Sequence, residues 1–304
     1  MTDDGRAMQT VLERPGADLR DRWVRPLGWA SLVANVVIVV TGGAVRLTDS
    51  GLGCPTWPRC TDSSLVPHGA YSVHQAIEFG NRTLTFVLTA VALATLVGVF
   101  RSSRRDLRGL SVVLVLGIPL QAVIGGISVH TDLNPWVVSL HLLLSMALVG
   151  VATLLLWREA VPAPSHPTGR VATLAAAGFV VAWAVLYVGT VVTGAGPHAG
   201  DLHAPRNGLS AMEISRVHSG LVWLLVALTV ALLVLLRGTV ARRAVTTLLC
   251  VELAQGVVGY VQYATDLPVP LVLVHMLGAA VTSSVVTWTL LAARRAATDP
   301  TPTG

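Results

Sequence analysis

Eight apolar runs follow one another along the chain, at 27–46, 75–100, 110–129, 136–157, 171–194, 213–236, 244–263 and 270–292. Crossing the roughly 30 Å hydrocarbon layer of a bilayer takes about 20 helical residues, which each run supplies. Inside that layer every backbone N–H and C=O has to be paired by protein, so such runs fold as helices. A transmembrane β-barrel is excluded, because its strands are short and alternate apolar with polar residues. Charge is sparse as well: 12% of residues are charged, where soluble chains carry about 25%. The expected fold is an all-α integral membrane protein.

The arginines predict its orientation. All 21 basic residues are arginine, and 16 of them lie in the N-terminal segment, the 101–109, 158–170 and 237–243 loops and the C-terminal end. The positive-inside bias predicts a multi-pass protein of the cell membrane with both termini in the cytoplasm. Arg46, Arg59, Arg82, Arg206 and Arg216 fall on the other side, with the 47–72 and 195–211 loops. Arginines placed between apolar runs serve topology, so no nucleic-acid partner is expected. Residues 1–26 are polar and lack the apolar core and cleavage site of a signal peptide. They read as a cytoplasmic tail, as do residues 294–304.

The chain repeats itself. The segment QAVIGGISVHTDLNPWVVSLHLL, from Gln121, aligns with QGVVGYVQYATDLPVPLVLVHML, from Gln255. Gln, a Gly four residues on, the tripeptide TDL and a closing His coincide, the last as His141 and His275. Upstream, Asn81 falls opposite His218, and Thr41 and Gly42 opposite Thr193 and Gly194. Two halves follow, 27–158 and 171–293, joined by a cytoplasmic linker at 159–170. Each holds four spans, an even number, so both halves run the same way. Such repeats are related by an axis along the membrane normal. The expected body is two tandem four-helix bundles, which hold ligands between facing helices.

Ionisable residues inside a membrane are costly and point to function. His141, His218 and His275 each lie about two turns from the outer end of a span. His218 and His275 sit at similar depth on the second and fourth spans of their half. That geometry suits the two axial positions of a haem, whereas zinc wants three or four clustered ligands. In the first half His141 matches His275, but Asn81 stands where His218 has its counterpart. One strong ligand and one weak or open position are therefore expected there, with His74 as an alternative ligand. Glu78 lies three residues before Asn81, on much the same helix face, and is the candidate acid or base. Its alternative role is a structural pair with an arginine. Arg46, Arg82 and Arg216, at outer ends of spans, either snorkel or bind acidic groups of a ligand.

Cys54 and Cys60 lie in the first outer loop, where thiols tend to oxidise. A structural staple and an exchangeable redox pair are both open readings. No C-x-x-C-H haem-attachment sequence is present. Cys250, in the seventh run, is expected to be an inert core thiol. His198 and His203 read as polar residues of the second outer loop.

Taken together, VRLTDSGLGCPTWPRC, IEFGNR, QAVIGGISV, LNPWVVSLHL, GTVVTGAGPHAGD, VHSG and LPVPLVLVH resemble the heme A synthase family across essentially all eight spans. The resemblance implies oxidation of the C8 methyl of haem O to a formyl group, giving haem A for aa3-type terminal oxidases. It implies that His218 and His275 ligate a resident haem b and that His141 helps hold the substrate haem O. It implies that Glu78 is the key acidic residue and that Cys54 and Cys60 form a disulfide. By the logic of that pathway, haem O synthase and an electron-transfer protein are expected partners, besides the bilayer. The chain departs from the family at Asn81, where the pattern Glu-x-x-His-Arg has a histidine. The substrate iron is then five-coordinate, or His74 or water completes it. The second cysteine pair of some members is absent. Alternative readings are a di-haem b-type electron carrier, a haem transporter and an oxidase assembly factor.

Overall fold

The computed structural model of the protein describes residues 21–67, 72–161 and 169–297. The expected terminal tails, up to residue 20 and from 298, and most of the expected linker, 162–168, lie outside the described residues. Eight long helices account for the eight apolar runs: α1 (Val24–Leu47), α2 (Val73–Arg101), α3 (Arg108–His130), α4 (Pro135–Ala160), α5 (Arg170–Ala195), α6 (Ala211–Leu235), α7 (Arg242–Ala264) and α8 (Val269–Ala296). All eight are long and apolar enough to cross a membrane.

Local sequence sets several helix ends. Ser72 caps α2 in a reciprocal box with Gln75, which satisfies two of the unpaired N–H groups at a helix start. Asn134 caps α4 by accepting the Trp136 N–H, with Pro135 in the first turn, where a missing N–H costs nothing. The repeated TDL tripeptide makes one turn twice. Asp132 and Leu133 have φ of 50° and 59°, and Asp266 and Leu267 both have φ of 58°. The Leu133 N–H then reaches the Ser128 carbonyl at 2.8 Å, and the Leu267 N–H the Gln262 carbonyl at 2.7 Å. These left-handed pairs close α3 and α7 and send the chain straight back as α4 and α8.

The helices pack as two rings. In one, α1 contacts α2 and α4, and α3 contacts the same two; in the other, α5 contacts α6 and α8, and α7 contacts the same two. The rings meet where α4 lies against α5 and α8, and α1 against α8. Val39, Met146, Leu186 and Ala280, one from each of α1, α4, α5 and α8, form a buried cluster at this seam. Small hydroxyl residues let α4 and α8 approach closely: Ser283 Oγ donates to the Met146 carbonyl (2.7 Å), and Thr153 and Ser284 share a hydrogen bond (2.8 Å). Small and hydroxyl residues are the usual glue where both solvent and side chains are apolar.

The outward faces are apolar, as at Phe86, Leu116 and Val180. Cys250 belongs to this outward face and is exposed, which corrects its expected place in the core. The reason is that, among the described residues, α7 contacts only α6 and α8, so much of its circumference points away from them. The 48–67 and 196–210 segments share one end of the molecule with the two TDL turns: the Gly51 N–H meets the Gly200 carbonyl at 2.8 Å, and His198 Nε2 donates to the Leu267 carbonyl at 2.9 Å. That end is called the loop face below.

Candidate functional site

Glu78 is almost fully buried, one turn before Arg82 on α2. One carboxylate oxygen, Oε2, accepts the Cys54 N–H at 2.6 Å. The other, Oε1, accepts from Arg82 Nε at 3.1 Å and Nη2 at 2.5 Å. Arg82 also donates to the carbonyls of Cys54 (3.1 Å), Thr56 (3.1 Å) and Arg59 (3.3 Å). The short loop therefore curls its backbone around the guanidinium. A disulfide between Cys54 and Cys60 closes that loop, and both cysteines are fully buried. Trp57 lies flat on Gly126 of α3, where a Cβ would strike its ring, and His130 Nε2 donates to the Trp57 carbonyl at 3.1 Å. Carboxylate, arginine and disulfide thus form one connected unit at the mouth of the first ring.

The other residues singled out from the sequence divide. His74 is exposed and shares a hydrogen bond with Ser50 Oγ (3.1 Å). Asn81 faces α1: Thr41 Oγ1 donates to its Oδ1 at 2.7 Å, and Gly42 lies beside its amide nitrogen. Arg46 is drawn into the second loop, donating to the His198 carbonyl (2.8 Å) and the Thr193 carbonyl (3.0 Å). Arg216 is exposed on α6. Arg82 and Arg46 therefore spend donors on protein carbonyls. The alternative of a Glu78–arginine pair is present, but both partners lie on one helix and what they hold is the loop. Thr41 and Thr193, matched in the sequence, both donate to the carbonyl four residues back, Val37 (3.1 Å) and Gly189 (2.9 Å), and Thr41 differs in also meeting Asn81.

His141, His218 and His275 share a common setting. In each, Nδ1 is buried and without a hydrogen-bond partner among the described residues. Each ring packs on a glycine of a neighbouring helix: a Cβ at Gly125 (α3), Gly189 (α5) or Gly259 (α7) would stand 3.2, 3.1 or 3.5 Å from the ring Cε1. Two glutamines hold the backbone beneath two of them. Gln121 Nε2 donates to the His141 carbonyl at 3.2 Å, and Gln255 Nε2 to the His275 carbonyl at 2.9 Å. The helix starts at Pro135, Ala211 and Val269 put the three histidines about 9–11 Å along their helices at 1.5 Å per residue. Among the described residues no group of three or more His, Cys, Asp or Glu is arranged to hold a bare metal ion. Imidazoles that each leave Nδ1 without a partner are compatible with a metal that arrives in its own macrocycle.

Sequence reading saw Gln121 and Gln255 as matched letters but not as supports for the histidine carbonyls, since helix-to-helix distances are not written in spacing. It also passed over Glu252 on α7. This carboxyl is buried, accepts from Thr229 Oγ1 at 2.8 Å, and leaves Oε2 without a partner among the described residues. A lone acidic residue inside the seventh apolar run was the available signal.

Comparison with known proteins bears on the family alone. The family COX15-CtaA, described as cytochrome oxidase assembly protein, matches residues 25–201. The heme A synthase of Geobacillus kaustophilus is 29% identical over 149 residues, 46% of each chain. That of Geobacillus thermodenitrificans is 32% identical over 130 residues, 41% of this chain and 39% of the relative. That of Listeria welshimeri is 29% identical over 114 residues, 36% of this chain and 37% of the relative. The chain thus matches less than half the length of these curated relatives. The family match takes in the Glu78–Arg82 unit, the disulfide loop and His141 and covers more than half of the residues, and on it the chain belongs to the COX15-CtaA family.

Proposed function

We propose that the protein is a heme A synthase, oxidising the C8 methyl of haem O to a formyl group for aa3-type terminal oxidases. The observation that carries this reading is the unequal ligand set of the two halves. His218 and His275 are two half-buried imidazoles on α6 and α8 of one ring. His141 faces the other ring with Asn81 where a second imidazole would stand. A pair of strong ligands suits electron transfer, and an incomplete pair suits a substrate that must bind and leave.

The two rings are then tandem four-helix bundles, 27–158 and 171–293, related by an axis along the membrane normal. The repeated TDL turns and the two Gln–His bonds support that relation. Arginine bias supports cytoplasmic termini and a loop face on the outer side. His218 and His275 hold haem b, and their orphaned Nδ1 atoms and glycine-lined rings fit a flat macrocycle. Haem b, when bound, supplies one-electron transfer. His141 holds haem O. Asn81 is turned to Thr41, so water or His74 fills the remaining position, or it stays open.

Two successive two-electron oxidations would take the methyl to an alcohol and then to an aldehyde hydrate, each step taking up one water and giving two protons and two electrons, the electrons passing to an electron-transfer acceptor, and the hydrate then losing water. Glu78 handles the protons these steps release, held in place by the Cys54 N–H and by Arg82. Arg82 positions both the carboxylate and the disulfide loop, and Arg46 ties the second loop across the seam. Arg216, whose guanidinium is exposed, is the cation open to a propionate. An electron-transfer protein and haem O synthase are the partners this chemistry calls for.

The test is to purify the native protein and Glu78→Ala from a host supplied with haem O, then extract and identify the haems. Haem A from the native protein and its loss from the variant are expected. Haem b alone from both overturns the enzyme and favours an electron carrier or transporter.

A further inference from the structure

The second ring buries a carboxyl that the proposed chemistry does not use. Glu252 is 4% exposed and lies near the middle of α7, about 15 Å from Arg242 at 1.5 Å per residue. Its Oε1 accepts from Thr229 Oγ1 of α6 at 2.8 Å, and its Oε2 has no partner among the described residues. Both residues stand in line with the histidine site. Thr229 follows His218 by three turns, about 16 Å along the same face of α6. Glu252 precedes Gly259, which lies against the His275 ring, by two turns, about 10 Å along the same face of α7. The surroundings are apolar: Leu225, one turn before Thr229, and Leu248, one turn before Glu252, pack in one cluster with Val285 and Val286 of α8.

The first ring is built differently at this place. In the register that pairs Gln121 with Gln255, Glu252 corresponds to Ile118; in the one that pairs Asn81 with His218, Thr229 corresponds to Ala92. Ala92 and Ile118 are buried together in an apolar cluster. The fold therefore closes at this level without a polar pair, and replacing both buried polar partners by apolar groups is close to neutral for stability. The carboxyl is thus not needed for packing, and it belongs to the half proposed to hold haem b. No cation compensates it. On the helices packed against α7, the titratable side chains toward the ring interior are His218 of α6 and His275 of α8. Glu213 and Arg216 lie at the loop-face end of α6, and Arg294 and Arg295 at the opposite end of α8. On α7 itself, Arg242 and Arg243 begin the helix, and Cys250, Tyr260 and Tyr263 are exposed.

We propose that Glu252 is the buried counter-charge of haem b, a positioning residue that takes up one proton when the haem takes up one electron. The inference rests on the reading of His218 and His275 as ligands of haem b. Ferric iron in a porphyrin with two neutral imidazoles carries one positive charge, and ferrous iron carries none. An ionised carboxylate without a cation is costly inside a membrane. Glu252 is therefore ionised opposite the ferric form and protonated opposite the ferrous one. Across apolar protein the two charges are little screened. The step balances. The electron is one that substrate oxidation releases, and the proton comes from water. Glu252 gives the proton back as an electron-transfer acceptor removes the electron, and only the carboxyl O–H bond forms and breaks.

The test is a potentiometric titration of the resident haem in the full-length protein in detergent, followed by absorbance at several pH values. Reduction that takes up a proton makes the midpoint potential fall as pH rises, by up to about 59 mV for each tenfold change in proton concentration. Glu252→Gln keeps the shape and the Thr229 bond but cannot ionise. It should retain haem and the low-spin spectrum, which reports on folding, and lose the part of the slope that the native protein owes to Glu252. Glu252→Asp should restore that slope. Thr229→Val withdraws a donor from the ionised form, so the sloping region should move to higher pH. Equal slopes in the native protein and Glu252→Gln, with no displacement in Thr229→Val, overturn the inference and leave Glu252 as a helix-to-helix contact. A native protein without a low-spin haem overturns the ligand reading and this inference with it. Haem A formation with equal slopes sinks the inference alone. Loss of slope in Glu252→Gln without haem A formation from the native protein sinks the enzyme reading alone.

Discussion

Arg82 donates to Glu78 and to three loop carbonyls at once, a task for a planar fork rather than a point charge. Arg82→Lys is accordingly expected to release the loop. Cys54 and Cys60 should then be reduced and labelled by a maleimide at least several-fold faster than in the native protein, and under the proposed activity haem A yield should fall. Unchanged labelling kinetics would show that the disulfide alone orders the loop. Glu252 offers a second test. Thr229→Val removes its hydrogen bond and leaves a buried carboxyl unmet, at a cost of about 1–3 kcal/mol, visible as a lower unfolding temperature in detergent. Glu252→Leu, which removes the polar group altogether, should destabilise less than Thr229→Val. Of these residues Glu78 was legible, because an acid at helical spacing from Asn81 and Arg82 interrupts an apolar context. The direction of Arg82 was not. Whether an arginine at a span end turns to a ligand, to lipid headgroups or to backbone carbonyls depends on a loop whose path the spacing does not describe.

Between elements, the histidines depend on their neighbours. Gly189 lies against the His218 ring, while Gly256 on α7 has nothing near its Cβ position. If His218 and His275 ligate haem b as proposed, Gly189→Val should displace the imidazole and lose the low-spin spectrum of a bis-histidine haem, whereas Gly256→Ala should keep it. Identical spectra from both would remove His218 from the ligand set. Gln255→Leu, which deletes the bond to the His275 carbonyl, should cost about 1 kcal/mol and lower haem occupancy on purification without abolishing it. The eight helices themselves were legible from hydrophobic runs, because a bilayer fixes both the length and the polarity of whatever crosses it. The TDL turns were legible as a repeat. Their left-handed backbone was not, since neither Asp nor Leu demands positive φ as glycine would. The orientation of Cys250 was misread because all faces of a membrane helix are apolar, so composition does not separate lipid-facing from buried positions.

For the molecule as a whole, the seam between the rings carries hydroxyl and arginine bonds as well as apolar packing. Ser283 and Thr153 bind across α4 and α8, and Arg46 pins the second loop to the end of α1. Ser283→Leu puts bulk where the helices approach closely. It is expected to lower the unfolding temperature by several degrees, since overpacking costs about 1–3 kcal/mol, and a variant as stable as the native protein would show that the seam is loose. Residue order alone dictates the membrane, the number of spans, the repeat and the acid and histidine positions. Each follows from a one-dimensional constraint: bilayer thickness, the cost of burying ionisable groups, or identity at equal spacing. The tertiary structure decided the rest. It brought the disulfide loop onto Glu78, set glycines against the histidine rings and put Gln121 under His141, all through contacts between helices far apart in the chain, whose approach is set by packing.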